Sequence, residues 1–101
     1  MRVLLKVTLA HEEFNAAVRN GTAGKKMQRI LDEQKPEAVY FTKMGGKRTG
    51  LLIVDLPEAS KIPAMVEPWF LTFKADVEIH PVMTSEDLGK GGLDALGKKW
   101  A

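Results

Sequence analysis

The strongest constraint on the fold is the change in hydrophobic spacing along the chain. Over residues 2–9, an apolar residue stands at every odd position. This period of two is the side-chain repeat of a β-strand with one buried face. From Phe14 to about residue 33 the apolar residues instead follow the spacing of one helical stripe. The chain therefore begins with a strand that is followed by a helical segment.

The first helical segment contains residues that weaken a helix. Glycine costs about 1 kcal/mol relative to alanine in a helix interior, and Gly21 and Gly24 both lie within the stripe. We expect either one continuous helix or a break near these glycines. Pro36 ends the helical spacing in either case, because proline disfavours the helical conformation in the residue before it.

Two strand-like segments follow, over residues 38–42 and 51–54. Gly45 and Gly46 lie between them and tolerate the positive φ of a tight turn, which predicts a hairpin. The second segment is apolar on both faces, as expected of a central strand.

The second half of the chain repeats the change from helix to strand. Asp55 and Pro57 begin another helical stripe, which Pro63 and Pro68 are expected to shorten or bend. Residues 76–81 alternate again between polar and apolar and predict a fourth strand.

The order of these elements predicts the fold class. Strand-helix-strand-strand-helix-strand is the split β-α-β, ferredoxin-like arrangement, an α+β fold in which two helices cover one face of a four-stranded antiparallel sheet. We expect one such domain over residues 1–83 and a tail over residues 84–101. The tail begins with a helix-capping sequence but contains four glycines. It is therefore expected to be ordered, as a helix, only where it packs on something such as a partner subunit.

Composition excludes several classes of protein. The absence of cysteine excludes disulfides, thiolate metal sites and a cysteine nucleophile. The net charge of +2 is too small to argue for nucleic acid. No apolar run approaches the roughly 18 residues of a membrane span, and Lys6 interrupts the apolar core that a signal peptide needs. We expect a soluble, cytoplasmic protein that makes no membrane contact.

One face of the predicted sheet carries more apolar residues than a wet surface usually does. If the odd positions of the first strand face the helices, the other face receives Leu4, Lys6 and Thr8, together with apolar residues of the middle strands in either phase. Soluble monomers rarely expose contiguous apolar patches larger than a few hundred Å². We therefore expect a second copy to cover this open face, which gives a face-to-face homodimer.

Four segments carry a family resemblance: Glu13-Phe14, the strand over residues 51–55, Pro68-Trp69-Phe70, and residues 75–82, which close on Pro-Val. They resemble the dimeric α+β barrel proteins, and among these the muconolactone isomerase-like group and its uncharacterised bacterial relatives. The resemblance covers about residues 1–83. It implies two sheets packed face to face and a small cleft between the sheet and helices of each subunit.

The catalytic residues of that isomerase group do not all have counterparts in this sequence. The group is thought to move a proton with a carboxylate about two turns after the helix-one phenylalanine, and counting seven residues from Phe14 reaches Gly21. Tyr40 matches an aromatic hydroxyl on the second strand. A tyrosine without its acid is only half of that mechanism.

His80 is the most interesting ionisable residue. It shares the open face with Glu78 and Lys6, and an imidazole held by a carboxylate can act as a general base near neutral pH. His80, Tyr40 and Glu78 are therefore the candidate catalytic residues, with Lys6 as a ligand-binding neighbour. The alternative is that His80 only serves the dimer contact.

The apolar cleft is predicted to be lined by Trp69, Phe70 and Met65. Large apolar side chains with helical spacing can form such walls. The alternative is that each of them is simply core.

Other ligand classes are less well supported. His11 and His80 are far apart and no cluster of carboxylates has metal-ligand spacing, so we expect no metal and no cofactor. The segment around Lys47 and Arg48 lacks the phosphate-loop pattern, and a hairpin with solvated bases explains it better. The strands lack the stacking aromatics of RNA-recognition folds, so nucleic acid is an unfavoured partner.

The sequence thus predicts a homodimer with an apolar cleft for an unknown small molecule. If the protein is an enzyme, cofactor-free isomerase-like or monooxygenase-like chemistry fits best. The alternative is a non-catalytic binding or assembly module. A polar cluster inside the cleft would favour the enzyme, and an apolar cleft would favour the module.

Overall fold

A computed structural model describes residues 1–101 and contains one four-stranded antiparallel sheet with the strand order β2-β3-β1-β4. The strands are β1 (Arg2–Thr8), β2 (Ala38–Met44), β3 (Lys47–Asp55) and β4 (Asp76–Pro81). The helices are α1 (His11–Arg19), α2 (Ala23–Gln34), α3 (Ile62–Phe73), α4 (Ser85–Lys90) and α5 (Leu93–Lys99), with a 3₁₀ turn over Ala59–Lys61. This architecture confirms the predicted α+β, ferredoxin-like fold.

The alternation in β1 decides which face of the sheet is buried. Leu5 lies opposite Leu52 on one side and opposite Ile79 on the other. Val3, Leu5 and Val7 have no exposed surface, because α1, α2 and α3 cover this face. Leu4, Lys6 and Thr8 lie on the open face and are only half-buried.

The first helical stripe is broken where its glycines predict that a break could occur. α1 ends at Arg19 and α2 begins at Ala23. Between them Gly21 adopts a φ of 76°, a left-handed conformation that glycine reaches without strain. The Asn20 side chain accepts a hydrogen bond from the Thr22 backbone N–H at 3.1 Å, which fixes the turn.

The second helical stripe is longer than its prolines suggest. Pro63 stands at the second position of α3, where no intrahelical N–H is required. Pro68 lies inside α3, yet the helix continues to Phe73. Met65, Trp69 and Phe73 recur every four residues and bury their side chains in the core, which offsets the backbone hydrogen bond that Pro68 cannot donate.

The tail forms two short helices, α4 and α5, which project from the rest of the chain. The radius of gyration is 16.9 Å and the longest extent is 59 Å, whereas a compact domain of this length has a radius of gyration of about 13 Å. Every residue from Met83 to Ala101 is exposed. None of the five helices combines the length and apolar character needed to cross a bilayer.

Candidate functional site

An apolar cleft with a volume of about 350 Å³ lies between the α1–α2 pair and the β2–β3 end of the sheet. That volume falls within the range of small-ligand sites. Its walls are formed chiefly by Leu9, Phe14, Ala23, Met27, Phe41 and Arg48. A larger depression along α2 is lined only by polar and charged side chains and has no apolar wall.

Two aromatic side chains line the cleft, one from the helices and one from the sheet. Phe14 on α1 packs against Phe73 of the core, with 5.3 Å between ring centroids. Phe41 on β2 lies opposite Gly50 of β3. A Cβ atom at Gly50 would come within 3.3 Å of the Phe41 ring. Glycine at this position therefore lets the ring lie against the β3 backbone.

Arg48 supplies the charge of the cleft. Its guanidinium carbon lies 4.8 Å from the centroid of the Phe14 ring, and its Nη1 donates a hydrogen bond to Oδ1 of Asn15 at 2.8 Å. Both contacts fix the direction of a half-buried cation. No carboxylate of the chain pairs with it. Since a guanidinium has five N–H donors, most of them stay available to a bound acceptor.

Arg48 is also the only titratable side chain among the residues that line the cleft. The cleft therefore contains a cation and apolar walls but no carboxylate or imidazole that could move a proton. The surrounding sequence is basic, because residues 25–48 carry seven basic and three acidic side chains. A negatively charged ligand would be attracted to this region.

Three of the predicted site residues meet on the open face of the sheet. Glu78 Oε1 lies 3.1 Å from Nε2 of His80, and Glu78 Oε2 lies 3.5 Å from Nζ of Lys6. The hydrogen bond from His80, and then the positive charge of Lys6, lower the pKa of Glu78 below its ordinary value. The cluster lies on the opposite face of the sheet from the cleft.

Tyr40 does not join this cluster. It is 70% exposed and lies on β2, at the far edge of the sheet from β4. Tyr40 and Glu78 occupy the same row across the sheet, separated by three strand spacings. At about 4.8 Å per spacing this distance is roughly 14 Å. One small substrate therefore does not contact both residues within a single subunit.

The three predicted wall residues lie outside the cleft. Trp69 and Met65 belong to the hydrophobic core, and the Trp69 indole N–H donates to Oε1 of Gln34 at 3.1 Å. Gln34 in turn donates its Nε2 to the Met65 carbonyl at 2.7 Å. Phe70, on the outer side of α3, is 39% exposed and faces away from the core. Trp69 and Met65 are therefore core residues, which is the alternative considered for them above.

Arg48, Phe41 and Gly50 were not predicted from the sequence as site residues. The sequence shows only that Arg48 and Gly50 share a phase with Leu52, and the register of β3 on β1 turns this phase toward the helices. A charged residue in the helix-facing phase of a strand has to find a partner beneath the helices. Lys47 and Arg48 were interpreted together as solvated bases of a hairpin, although only Lys47 is fully exposed.

Comparison with known proteins gives one result at the level of family. A search of curated proteins finds no match to this chain. A family model with the description "Domain of unknown function (DUF3303)" matches residues 1–95. The matched range includes the sheet, the three helices that cover it, the cleft and all of α4. The chain therefore belongs to this family, Domain of unknown function (DUF3303).

Proposed function

We propose that this protein is a binding module for a small, mostly apolar organic anion, and specifically a carboxylate, in the cleft between α1–α2 and β2–β3. The observation that carries the proposal is the half-buried guanidinium of Arg48, which has no carboxylate partner in the chain and faces apolar walls.

The physical reason is the cost of an unpaired charge. A charged group that is partly removed from water loses hydration, and an oppositely charged partner restores the lost interaction. A planar carboxylate matches the fork of a guanidinium and can accept two parallel hydrogen bonds. The rest of such a ligand would contact Phe14, Met27 and Phe41, which form an apolar wall on each side.

Binding is favoured over catalysis at this site because the cleft lacks a proton-transferring group. The Lys6–Glu78–His80 cluster, on which an isomerase-like or monooxygenase-like reaction would depend, is on the other face of the sheet. A ligand in the cleft does not reach it. Substitution His80→Ala is therefore expected to leave binding in the cleft unchanged.

The experiment is a pair of ligand titrations, each monitored by ¹H–¹⁵N correlation spectra of the protein. Phenylacetate and its neutral isostere phenylacetamide serve as probes, because they differ in charge and are almost identical in shape. We expect phenylacetate to bind at least about tenfold more tightly, since hydrogen bonds to charged groups contribute about 1.5–3 kcal/mol. The shift changes should centre on Arg48, Phe41 and Gly50. Equal binding of acid and amide, or shifts elsewhere only, would contradict the proposal.

Two variants separate the site from general charge effects. Arg48→Gln removes the cation that faces the cleft and should abolish the preference for the acid. Arg19→Gln removes an exposed arginine at the end of α1 and gives the protein the same net charge as Arg48→Gln does. It should bind phenylacetate as the unaltered protein does. If both variants lose the preference equally, the attraction comes from overall charge and not from the cleft.

A further inference from the structure

A second cation lies at the mouth of the cleft, directly across the sheet from Arg48. Lys43 of β2 is the register partner of Arg48 in β3, and residues that lie opposite each other in neighbouring strands share a face of the sheet. Phe41, two residues before Lys43, lines the cleft, so Lys43 lies in the cleft-facing phase of β2. Lys43 is exposed, whereas Arg48 is half-buried. The two cations therefore stand at different depths of one site.

The turn of the β2–β3 hairpin holds these two cations opposite each other. Only Gly45 and Gly46 separate the strands, and their φ values of 60° and 76° are those of a tight two-residue turn that matches the strand twist. The length of such a turn fixes the register. Residues directly opposite have Cβ atoms about 4.5–5.5 Å apart, and like charges in that position destabilise the pair. The hairpin thus contains a repulsion that the strands cannot relieve by sliding.

No acidic group of the protein offsets this repulsion. Neither Lys43 nor Arg48 takes part in an ion pair of the chain. The side chain that accepts a hydrogen bond from Arg48 is Asn15, which is neutral. Both positive charges are therefore left to solvent or to a ligand.

The other charged pairs of the sheet have opposite signs. Arg2 is the register partner of Asp55, and Lys6 is the register partner of Glu78, whose carboxylate lies 3.5 Å from the Lys6 ammonium. Of the cross-strand pairs in which both residues are charged, Lys43–Arg48 alone has two charges of the same sign. This exception occurs at the cleft.

We infer, on the basis of the proposed function, that the ligand of the cleft is a dicarboxylate, an apolar body with one carboxylate held by Arg48 and a second held by Lys43. The half-buried guanidinium can bind one carboxylate through two parallel hydrogen bonds, while the exposed ammonium acts on the second as a flexible point charge. Such a dianion neutralises both cations and removes their repulsion. Because the cations stand at two depths, two separate carboxylates match them better than one compact dianion such as a phosphate.

The experiment compares two ligands that differ only in the second charge. 2-Carboxyphenylacetate is phenylacetate with a second carboxylate on the ring, and 2-carbamoylphenylacetate has a neutral amide in its place. Calorimetric titration of the full chain at neutral pH should show that the diacid binds about three- to fivefold more tightly than the amide, because the second ion pair is exposed and exposed pairs contribute little. The preference should shrink at 1 M salt, where the screening length is about 3 Å.

Two variants assign this preference to one side chain. Lys43→Gln should abolish the preference for the diacid and keep the preference for phenylacetate over phenylacetamide, which depends on Arg48. The matched control is Lys47→Gln, which removes the same charge from the same hairpin at a residue that lies opposite Met44, in the other phase of the strands. Lys47→Gln should keep both preferences.

Three results would overturn the assignment of a dicarboxylate. They are equal binding of the diacid and its amide, an equal loss of the preference in both lysine variants, and tighter binding of benzyl phosphate than of the diacid. If the diacid has no advantage but phenylacetate still binds more tightly than phenylacetamide, the proposed function stands and only the second carboxylate is wrong. If phenylacetate has no advantage either, the proposed function is contradicted, and the dicarboxylate with it.

Discussion

The guanidinium carbon of Arg48 lies 4.8 Å from the centroid of the Phe14 ring, so the cation of the cleft rests on an aromatic face. This contact predicts that Phe14→Leu weakens phenylacetate binding severalfold, although leucine keeps the cleft apolar. The reason is that cation–π contacts contribute about 0.5–2 kcal/mol and also limit the directions that the guanidinium can take. Calorimetric titration measures the loss.

Arg48→Lys is the companion variant. Lysine keeps the charge but loses the planar fork that stacks on a ring and binds a carboxylate through two hydrogen bonds. The affinity of Arg48→Lys for phenylacetate should lie between that of the unaltered protein and that of Arg48→Gln. If Phe14→Leu binds phenylacetate with unchanged affinity, the ring does not orient the cation.

The pair Gln34 and Trp69 leads to a prediction about stability. The Gln34 amide accepts from the Trp69 indole N–H and donates to the Met65 carbonyl. Gln34→Leu removes both partners and leaves a fully buried indole N–H unsatisfied. The free energy of unfolding should fall by about 1–3 kcal/mol, as measured by urea denaturation.

A double-mutant cycle isolates this hydrogen bond. Trp69→Phe removes the donor, so Gln34→Leu in that background should cost less than it does alone. Additive losses would show that the indole hydrogen bond contributes nothing. Because Trp69 lies in the core and not in the cleft, neither substitution should remove the preference for phenylacetate over phenylacetamide.

Local periodicity is what made the fold predictable. The alternation around Leu5 and the stripe through Trp69 depend only on neighbouring residues, because strand and helix repeats are short. They identify the buried face of β1 and the helical character of α3 without knowledge of pairing. The break after Arg19 remained open because the cost of one or two glycines is comparable to the gain from packing.

The cleft depends on long-range register, which periodicity does not supply. β3 is apolar in both phases, so its sequence alone permits either set of side chains to face the helices. Pairing of Gly50 with Val7 settles the choice and places Arg48 under α1. A shift of one residue would turn Arg48 to the open face. Trp69, Phe70 and Met65, which were predicted from the sequence as cleft walls, do not line this cleft. Alternation places Glu78 and Lys6 on one face of the sheet, and the pairing of β4 with β1 brings them together.

The charge cluster on the open face predicts a dependence on pH and salt. The pKa of Glu78 is lowered by the hydrogen bond from His80 and by the charge of Lys6. The stabilisation from Glu78 is therefore fully present above the ordinary glutamate pKa of 4.5 and is lost as the pH falls through the lowered value. NMR titration of the Glu78 carboxyl carbon measures the pKa directly.

Two variants rank the causes of this shift. His80→Ala should raise the pKa of Glu78 more than Lys6→Met does, because the hydrogen bond from His80 is the larger cause. The Lys6 contribution should shrink at 1 M salt, where the screening length is about 3 Å. If neither variant changes the pKa of Glu78, the claim that His80 and Lys6 lower this pKa is contradicted.

The close contact between Gly50 and Phe41 predicts how the cleft responds to one methyl group added at residue 50. In Gly50→Ala the new Cβ would lie 3.3 Å from Cε1 of Phe41 and 3.4 Å from Cδ1 of Leu52. Phe41 is on the edge strand β2 and about half-exposed, so its ring can move outward. The free energy of unfolding should therefore fall by less than about 1 kcal/mol, below the 1–3 kcal/mol usual for overpacking a closed core.

The displaced ring would nevertheless change the shape of the cleft, so Gly50→Ala should weaken phenylacetate binding severalfold while the fold stays intact. Gly97→Ala is the matched control outside the cleft, because a Cβ there would meet no atom within 4 Å. It should leave binding unaltered and should not lower stability, since alanine is the better helix former in α5. Equal binding by both variants would show that Phe41 does not shape the site, because only Gly50→Ala places a new atom against its ring.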